Sequence, residues 1–388
     1  MNFQLTDEQL QIQKTVKEFA ETKVLPTAIE RDAKGEVLAD GSWNMDNEPI
    51  MQEMANMGLI GLPYPKEYGA TGGDYLSYIV AVEEISKVDG GLGISYSVST
   101  SLYMGSVDNG GTEENKKAWI APVAKSAFGA FGLTEPTAGS DVAGAITTAK
   151  KDGDKYILNG LKCFITNGPI ATDLIVYALT APELGPNKGM SAFHVTPGVE
   201  GFSIGNVHNK MGLKAALVGE LVFENCAVDA SQLLGTEGKG FGTAMNTLNG
   251  GRIGVGAQGL GIAEGAYEVA RKYLMERQQF GKPLCKQQYI QFKMAELKIK
   301  IEAAKFMVYR AAMDKQEHRD YSISAAMAKY IGTNTAMEVT TEAVQMLGGN
   351  GYMKEYHVER MMRDAKITQI YEGTNEIQKL IISGTLFR

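Results

Sequence analysis

The apolar residues of this chain change their spacing twice, and that double change restricts the architecture more than any single motif. In the first third they recur every three to four residues, the period of a helix with one buried face. Near residue 127 this gives way to short β-rich runs broken by Gly, Pro and Asn, which read as strands joined by turns. From Gly240 helical spacing returns in long segments, over about 240–275, 286–315 and 322–347. Helices, then strands, then helices is the order of an α+β protein with segregated units.

Local signals place the elements more closely. Thr6 with Gln9 forms a capping box, Leu5 faces Leu10 as a hydrophobic staple, and Ile12, Val16, Phe19 and Ala20 mark the buried face of a helix running to Pro26. Further helices are expected over 48–57, 76–88 and 113–124. In the middle third, Asn159-Gly160 between β-rich runs at 155–158 and 161–166 predicts a hairpin, since Asn-Gly supplies the positive φ angles of a two-residue type I′ turn. Strands over 174–179, 191–195 and 220–224 extend this to a small antiparallel β unit over roughly 127–230. In the last third, Gly348-Gly349-Asn350-Gly351 stops the third long helix, and the segments read as a helical bundle.

At 388 residues the chain exceeds what one core usually serves, and 44% apolar content is ample for two or three structural units. Its 38 basic and 45 acidic side chains give a net charge of −7 with no basic block, which argues against nucleic acid or an anionic membrane as the main partner. Cys163, Cys226 and Cys285 are odd in number and far apart, so neither a disulfide framework nor a zinc site is indicated and a reducing, cytoplasmic setting is expected. The first residues lack the basic and apolar parts of a signal peptide, and no run of about 18 apolar residues offers a membrane span. His194, His208, His318 and His357 are scattered, with no His-Glu-x-x-His and no Gly-x-Ser-x-Gly, so neither a metal site nor hydrolase chemistry is supported.

Gly254-Val-Gly256-Ala-Gln-Gly259 matches a dinucleotide-binding pattern, but no strand precedes it. Gly254, Ala257, Gly261 and Gly265 instead make a small-residue stripe at helical spacing, suited to close helix packing. Two other stretches carry chemistry. Ile370-Tyr-Glu372-Gly373-Thr374-Asn375-Glu376-Ile sets one carboxylate in a tight connection between a helical segment at 356–366 and another capped by Thr374 or Asn375. Glu372 is a candidate base; Gly373 permits backbone angles or a ligand approach that a side chain would block, and the next helix offers free N–H groups. Phe131-Gly-Leu133-Thr134-Glu-Pro-Thr-Ala-Gly139-Ser140-Asp141 is a polar loop beside the first strands, with hydroxyls and amides available to a ligand.

Together with Phe164-Ile165-Thr166-Asn167-Gly168 and Asn249-Gly250-Gly251-Arg252, these stretches resemble the acyl-CoA dehydrogenase family. The likeness runs from Leu5 almost to Arg388, and GRIGVGAQGLGIAEGAYEVARKY, QQFGKPLCK and RDAKITQIYEGTNEIQ resemble its short-chain, butyryl-CoA branch. The resemblance implies an N-terminal α-helical domain over 1–126, a middle antiparallel β-barrel-like domain over 127–231 and a C-terminal four-helix bundle over 232–388, assembled as a homotetramer built from dimers. It also implies FAD as cofactor and an electron-transfer flavoprotein as redox partner. Carried over position by position, Phe131, Leu133, Thr134, Gly139, Ser140, Phe164, Ile165 and Thr166 contact the flavin. Arg277, Phe280, Gln288, Gln345, Met346, Leu347, Gly348 and Gly349 hold the dinucleotide bound mainly by the neighbouring subunit, while Thr374, Asn375 and Glu376 line its phosphates. Ser140, Asn249, Gly250, Gly251, Arg252 and Gly373 contact acyl-CoA. Phe164 stands where the family often has Trp, which removes an indole N–H and keeps the stacking face.

The reaction so implied is α,β-dehydrogenation of a short-chain acyl-CoA to the trans-2-enoyl-CoA, or the reverse reduction, with Glu372 taking the α proton and FAD the β hydride. Isovaleryl- and long-chain-type relatives carry the base at the position of Gly251, and glutaryl-type relatives carry an arginine near Gly93, so those branches are disfavoured. A compact branched or cyclic acyl group is the alternative substrate, and Tyr96, Tyr103 and Met104 are the expected pocket floor. Two rivals of other classes are an acyl-CoA oxidase, which would pass electrons to oxygen, and a non-catalytic scaffold, which would be colourless.

Overall fold

The computed structural model describes residues 4–126 and 128–387. Helix Asp7–Phe19 opens with the expected capping box: the Thr6 hydroxyl accepts the Gln9 N–H, and the Gln9 side chain accepts the Thr6 N–H. It passes through a π-helical turn, Ala20–Val24, and a 3-10 turn around Pro26. Helices Glu48–Asn56, Tyr75–Ser86, Gly90–Ser97 and Glu113–Ser126 follow. Every residue of Tyr75–Ser86 is buried, so this helix is packed on all sides rather than lying on the surface. Asp89 caps Gly90–Ser97 by accepting the Gly91 and Leu92 N–H groups, and the Arg31 guanidinium pairs with the same buried carboxylate at 2.7 Å. Beyond Ser97 the helix continues in π-helical form, Val98–Met104.

The expected start of the middle unit, residue 127, lies outside the described residues. Seven strands follow: β1 (Gly129–Gly132), β2 (Thr148–Asp152), β3 (Lys155–Thr166), β4 (Asp173–Leu179), β5 (Met190–Val195), β6 (Phe202–Val207) and β7 (Val218–Asp229). They form one curled sheet in the order β1-β4-β2-β3-β7-β6, with β5 on β4. Most neighbours are antiparallel; β1 runs parallel to β4, and β2 touches β4 in a single parallel pair. Leu158, Leu174, Val176, Phe193 and Phe223 fill its core.

The hairpin expected at Asn159-Gly160 does not form. Residues 155–166 are one strand, and the chain reverses earlier, at Gly153 (φ 61°) between β2 and β3. Asn159-Gly160 is a bulge against β7: the register shifts between Leu158 and Gly160, and the Asn159 side chain accepts the Asn225 N–H at 2.8 Å. A side chain at Gly160 would overlap Thr147. Pairing with β7 on both sides of the bulge outweighs the dipeptide's local turn preference.

The C-terminal third is built on one long helix, Gly240–Glu276, whose 37 residues span about 55 Å. Helices Gln288–Gln316, Ser322–Leu347, His357–Thr368 and Asn375–Ser383 surround it. Its glycines serve two faces where the sequence suggested one stripe. Gly261 and Gly265 lie against the carbonyls of Glu83 and Lys87, and Gly256 and Gly259 against the backbone at Ala328 and Gly332. A Cβ at any of the four would crowd the neighbouring main chain, so the glycines set how closely the helices approach. Among the described residues, no helix is long and apolar enough to cross a membrane.

Candidate active site

Glu372 owes its placement to a strained reversal. After helix His357–Thr368 the Ile370 and Tyr371 N–H groups both turn back to the Ile367 carbonyl, and the Asn375 N–H closes the turn on the Gln369 carbonyl at 2.9 Å. Glu372 sits inside this turn at φ 51° and Gly373 at φ 88°. For a residue with a side chain the left-handed region costs about 1–2 kcal/mol. Thr374 then caps the last helix by accepting the Ile377 N–H.

The carboxylate points at a part of the long helix that has no side chain. A Cβ on Gly251 would overlap Glu372 Oε2 and would lie 2.7 Å from Leu102 Cδ2. Both carboxylate oxygens are buried and neither has a hydrogen-bond partner among the described residues. Burial pushes the pKa of Glu372 up from 4.5 to about 7, against the opposing pull of the Lys329 and Arg252 charges. Asn249 Oδ1 accepts from Arg252 at 2.5 Å. Lys329 is fully buried and donates to Asn375 Oδ1 at 2.9 Å, with burial drawing its own pKa down to about 7. Tyr371 donates to Gln258, whose amide donates to the Gly90 carbonyl at 2.8 Å. A dry carboxylate that titrates near neutrality is poised to accept a proton.

The pocket floor differs from expectation. The Tyr96 hydroxyl donates to the Leu59 carbonyl at 2.9 Å and the Tyr103 hydroxyl to the Trp119 carbonyl at 3.1 Å, which commits both rings to the N-terminal core; Met104 is fully buried there too. Leu102, on the π-helical stretch Val98–Met104, reaches the gap at Gly251 that Glu372 faces. Beyond it, the Tyr78 and Ser97 hydroxyls lie 2.9 Å apart against Gly254. Any side chain at Gly93 would overlap Ser86, so that position has no room for an arginine.

Strands β1 and β3 bring together a second set of residues. Lys162, fully buried, donates to the Leu133 carbonyl at 3.1 Å and to Glu135 at 2.6 Å, while Glu135 accepts the Ile146 N–H at 2.7 Å and the Thr147 N–H at 3.1 Å. The Thr134 carbonyl accepts the Cys163 N–H at 2.9 Å. This clamp ties the Thr134 loop to β3, where Phe164, at φ 57° and 67% exposed, lies beside His208 with ring centroids 5.0 Å apart. Thr134 and Thr166 are half-buried, Gly139 and Ser140 are exposed, and Leu133, Phe131 and Ile165 are core residues.

A third set sits elsewhere. Asn350 donates to the Tyr273 hydroxyl at 2.8 Å, which joins the turn Gly348–Tyr352 to the end of the long helix, where Arg277 leaves it. Arg277, Gln288, Gln345, Gly348 and Gly349 are exposed, and Phe280 is 92% exposed. Met346 and Leu347 turn their side chains into the core. Arg277 lies about 39 Å along the helix from Gly251. Within one chain this set is too far from Glu372 to share a dinucleotide with it. Of the residues after Glu372, Thr374 is half-buried and Glu376 exposed, whereas the Asn375 side chain is taken up by Lys329, Thr333 and Asn334.

Sequence reasoning missed Leu102, Lys329 and the Lys162–Glu135 clamp. Only Lys329 left a readable sign, a lone charge inside the otherwise uncharged stretch Ala325–Thr333.

Comparison with known proteins assigns the class. Family profiles for the N-terminal, middle and C-terminal domains of acyl-CoA dehydrogenase match residues 6–127, 130–226 and 238–387, and the chain belongs to that family. It is an acyl-CoA dehydrogenase, an oxidoreductase. It is similar to the short-chain specific acyl-CoA dehydrogenase of Clostridium acetobutylicum, at 50% identity with 100% of each chain covered. Butyryl-CoA dehydrogenase from Megasphaera elsdenii has the same fold, at TM-score 0.95 and 48% identity over 100% of each chain. A chain from the structure described as the electron transferring flavoprotein of Acidaminococcus fermentans matches at TM-score 0.95 and 49% identity, again over 100% of each. A glutaryl-CoA dehydrogenase from Mycobacterium smegmatis in complex with FADH2 matches at TM-score 0.90 and 30% identity, over 99% of this chain and 95% of the other.

Proposed function

We propose that the protein catalyses α,β-dehydrogenation of a short-chain acyl-CoA to the trans-2-enoyl-CoA, or the reverse reduction, with FAD as cofactor and an electron-transfer flavoprotein as electron partner. The observation that carries this reading is the Glu372 carboxylate, buried, unpaired and raised to about 7, facing the gap left by Gly251. An α proton of a thioester is weakly acidic, and a base held in an apolar enclosure approaches its acidity when an acyl chain excludes the remaining water. In this reading Glu372 takes that proton, its main-chain N–H polarises the thioester carbonyl, and Leu102, Tyr78 and Ser97 bound the acyl group.

The residues present suit a flavin. Phe164 offers an exposed ring between the half-buried Thr134 and Thr166, and added Cβ atoms at Gly139, Gly348 and Gly349 would meet nothing within 4 Å, which leaves open surface for a large ligand. Thr134, Thr166 and the Phe131–Ser140 loop would hold the ring system, and Thr374–Glu376 would lie along the phosphates. When bound, the flavin supplies the two-electron acceptor. Arg277, Phe280, Gln288 and Gln345–Gly349 would reach a cofactor carried by a second copy, given their distance from Glu372 in their own chain. An apolar row on helix Gln288–Gln316, with Tyr289 66%, Phe292 59% and Ile299 70% exposed, supports assembly and the proposed homotetramer. The same reading divides the chain at 1–126, 127–231 and 232–388 and places it in the cytoplasm.

The test is anaerobic bleaching of the bound flavin by a panel of acyl-CoA thioesters. We expect kcat/KM to peak near butyryl-CoA and to fall by octanoyl-CoA, since a methylene inside the pocket gains about 0.8 kcal/mol and one beyond Leu102 and Tyr78 gains nothing. Glutaryl-CoA should be inert, because among the described residues no cation pairs with Tyr78, Ser97 or Leu102 at the closed acyl end, and an unpaired buried carboxylate costs several kcal/mol. A maximum at octanoyl-CoA or longer would overturn the short-chain reading.

A further inference from the structure

Lys315 is a cation with no acceptor. It occupies the last turn of helix Gln288–Gln316, yet among the described residues its ammonium makes no hydrogen bond or ion pair and lies over ring faces, 4.2 Å from the Tyr75 centroid and 5.6 Å from that of Tyr321. Burial draws its pKa down to about 8, and the one opposing charge is Asp108, which is not an ion-pair partner. Tyr75 and Tyr321, the other titratable groups facing it, are both pushed above their ordinary value by burial and stay neutral in this range.

Its position is tied to the candidate base. The ammonium lies 2.6 Å from the point where a Cβ on Gly250 would stand, so that glycine admits Lys315 as its neighbour Gly251 admits Glu372. The Gly250 carbonyl accepts from the Tyr75 hydroxyl at 3.1 Å and not from Lys315. Residues 250–263 of the long helix are all buried, whereas Gly242 and Asn246 are exposed, so Gly250 marks the edge between the buried and the exposed part of the helix. The acyl end is sealed by Tyr78, Ser97 and Gly254, all buried. A thioester held at Glu372 must therefore send its CoA arm the other way, and Lys315, which is partly exposed, borders that exit.

We propose that Lys315 is a binding residue for the CoA arm, its ammonium donating to an amide carbonyl or phosphate oxygen of the substrate. This rests on the reading that the site takes a short acyl-CoA. A charge-assisted hydrogen bond made only when substrate is present strengthens binding without touching the reacting carbons. Affinity should depend on Lys315 while the rate of the bound complex does not.

The experiment is single-turnover anaerobic reduction of the FAD-loaded enzyme by butyryl-CoA and by S-butyryl-pantetheine, for wild type, Lys315→Met and Lys315→Arg. Lys315→Met should weaken butyryl-CoA binding about tenfold or more, with the limiting rate within about twofold, and Lys315→Arg should recover most of the affinity. Wild-type affinity should decline above pH about 8 as the ammonium loses its proton, and Lys315→Met should lack that decline. A defect that persists with the pantetheine thioester assigns the amide carbonyl; one confined to butyryl-CoA assigns a phosphate. Unchanged affinity in Lys315→Met would overturn the inference, as would a parallel loss of rate, affinity and melting temperature that arginine fails to rescue. A wild-type enzyme that no butyryl thioester reduces would instead sink the functional reading on which it rests.

Discussion

The surroundings of Glu372 and those of Phe164 and Phe280 are opposite in kind. At Glu372 the carboxylate oxygens are sealed, Gly251 makes the space, Leu102 closes it and no other chain is needed. At Phe164 and Phe280 large rings stand in solvent, 67% and 92% exposed, beside glycines with nothing around them. The protein's own side chains already bury the carboxylate, and a bound acyl chain has only the remaining water to displace. In the proposed reading this open surface is the seat of a dinucleotide, which brings apolar and charged surface of its own and would be covered by ligand and neighbouring chain together. On that reading the contrast separates what one folded chain completes from what assembly would complete.

Removing the enclosed carboxylate breaks the first half of this comparison. Glu372→Gln should lose about 10²- to 10⁴-fold in single-turnover reduction while keeping flavin and assembly, because the amide has the size but not the proton affinity. More than about a tenth of wild-type rate would disqualify Glu372 as the base. Next in size, Gly251→Ala should cost about 10²-fold, since its methyl group must displace the carboxylate, and a misplacement of an ångström is worth that much. Substrate affinity and rate measured together would show whether the damage sits at the base. On the open half, Arg277→Ala should weaken flavin binding about tenfold and promote dissociation on dilution if this exposed cation holds the dinucleotide of a second copy, as proposed. A flavin-saturated monomer in sedimentation would refute the shared site.

The smallest effect is on stability and has a definite sign. The pKa of Glu372 is about 7 in the folded chain against 4.5 for the free group, so folding favours its neutral form. That contribution is complete below pH about 4.5 and is lost as pH rises through 7. Glu372→Gln, which never ionises, should melt a few degrees above wild type at pH 8, a gain of at most about 3 kcal/mol, and the gap should close towards pH 5. Equal melting at both pH values would mean that the carboxylate is hydrated.

What could be read from the sequence follows the range of the interactions involved. The Thr6–Gln9 box, the Thr374 cap and the long helices depend on residues a few places apart, and they appear where their chemistry puts them. Asn159-Gly160 was legible as a backbone irregularity but not as a bulge, because the partner that decides between turn and bulge is Asn225 on β7. Leu102 was hidden by a π-helical stretch that no helical template contains. The Lys162–Glu135 clamp joins residues 27 apart through a buried ion pair, and spacing alone carries no sign of it. Glu372 could be placed in its turn from sequence, while its dryness depends on Gly251 and Leu102, both remote in the chain.

The backbone of Glu372, held at φ 51°, sets the interests of folding against those of reaction. Glycine or asparagine would relax that turn, and either would delete the carboxylate. The position is therefore one where a sturdier protein and a working enzyme are different molecules. In a lineage released from the need for proton transfer, drift towards greater stability would erase residue 372 early, while the helices on either side of it persisted.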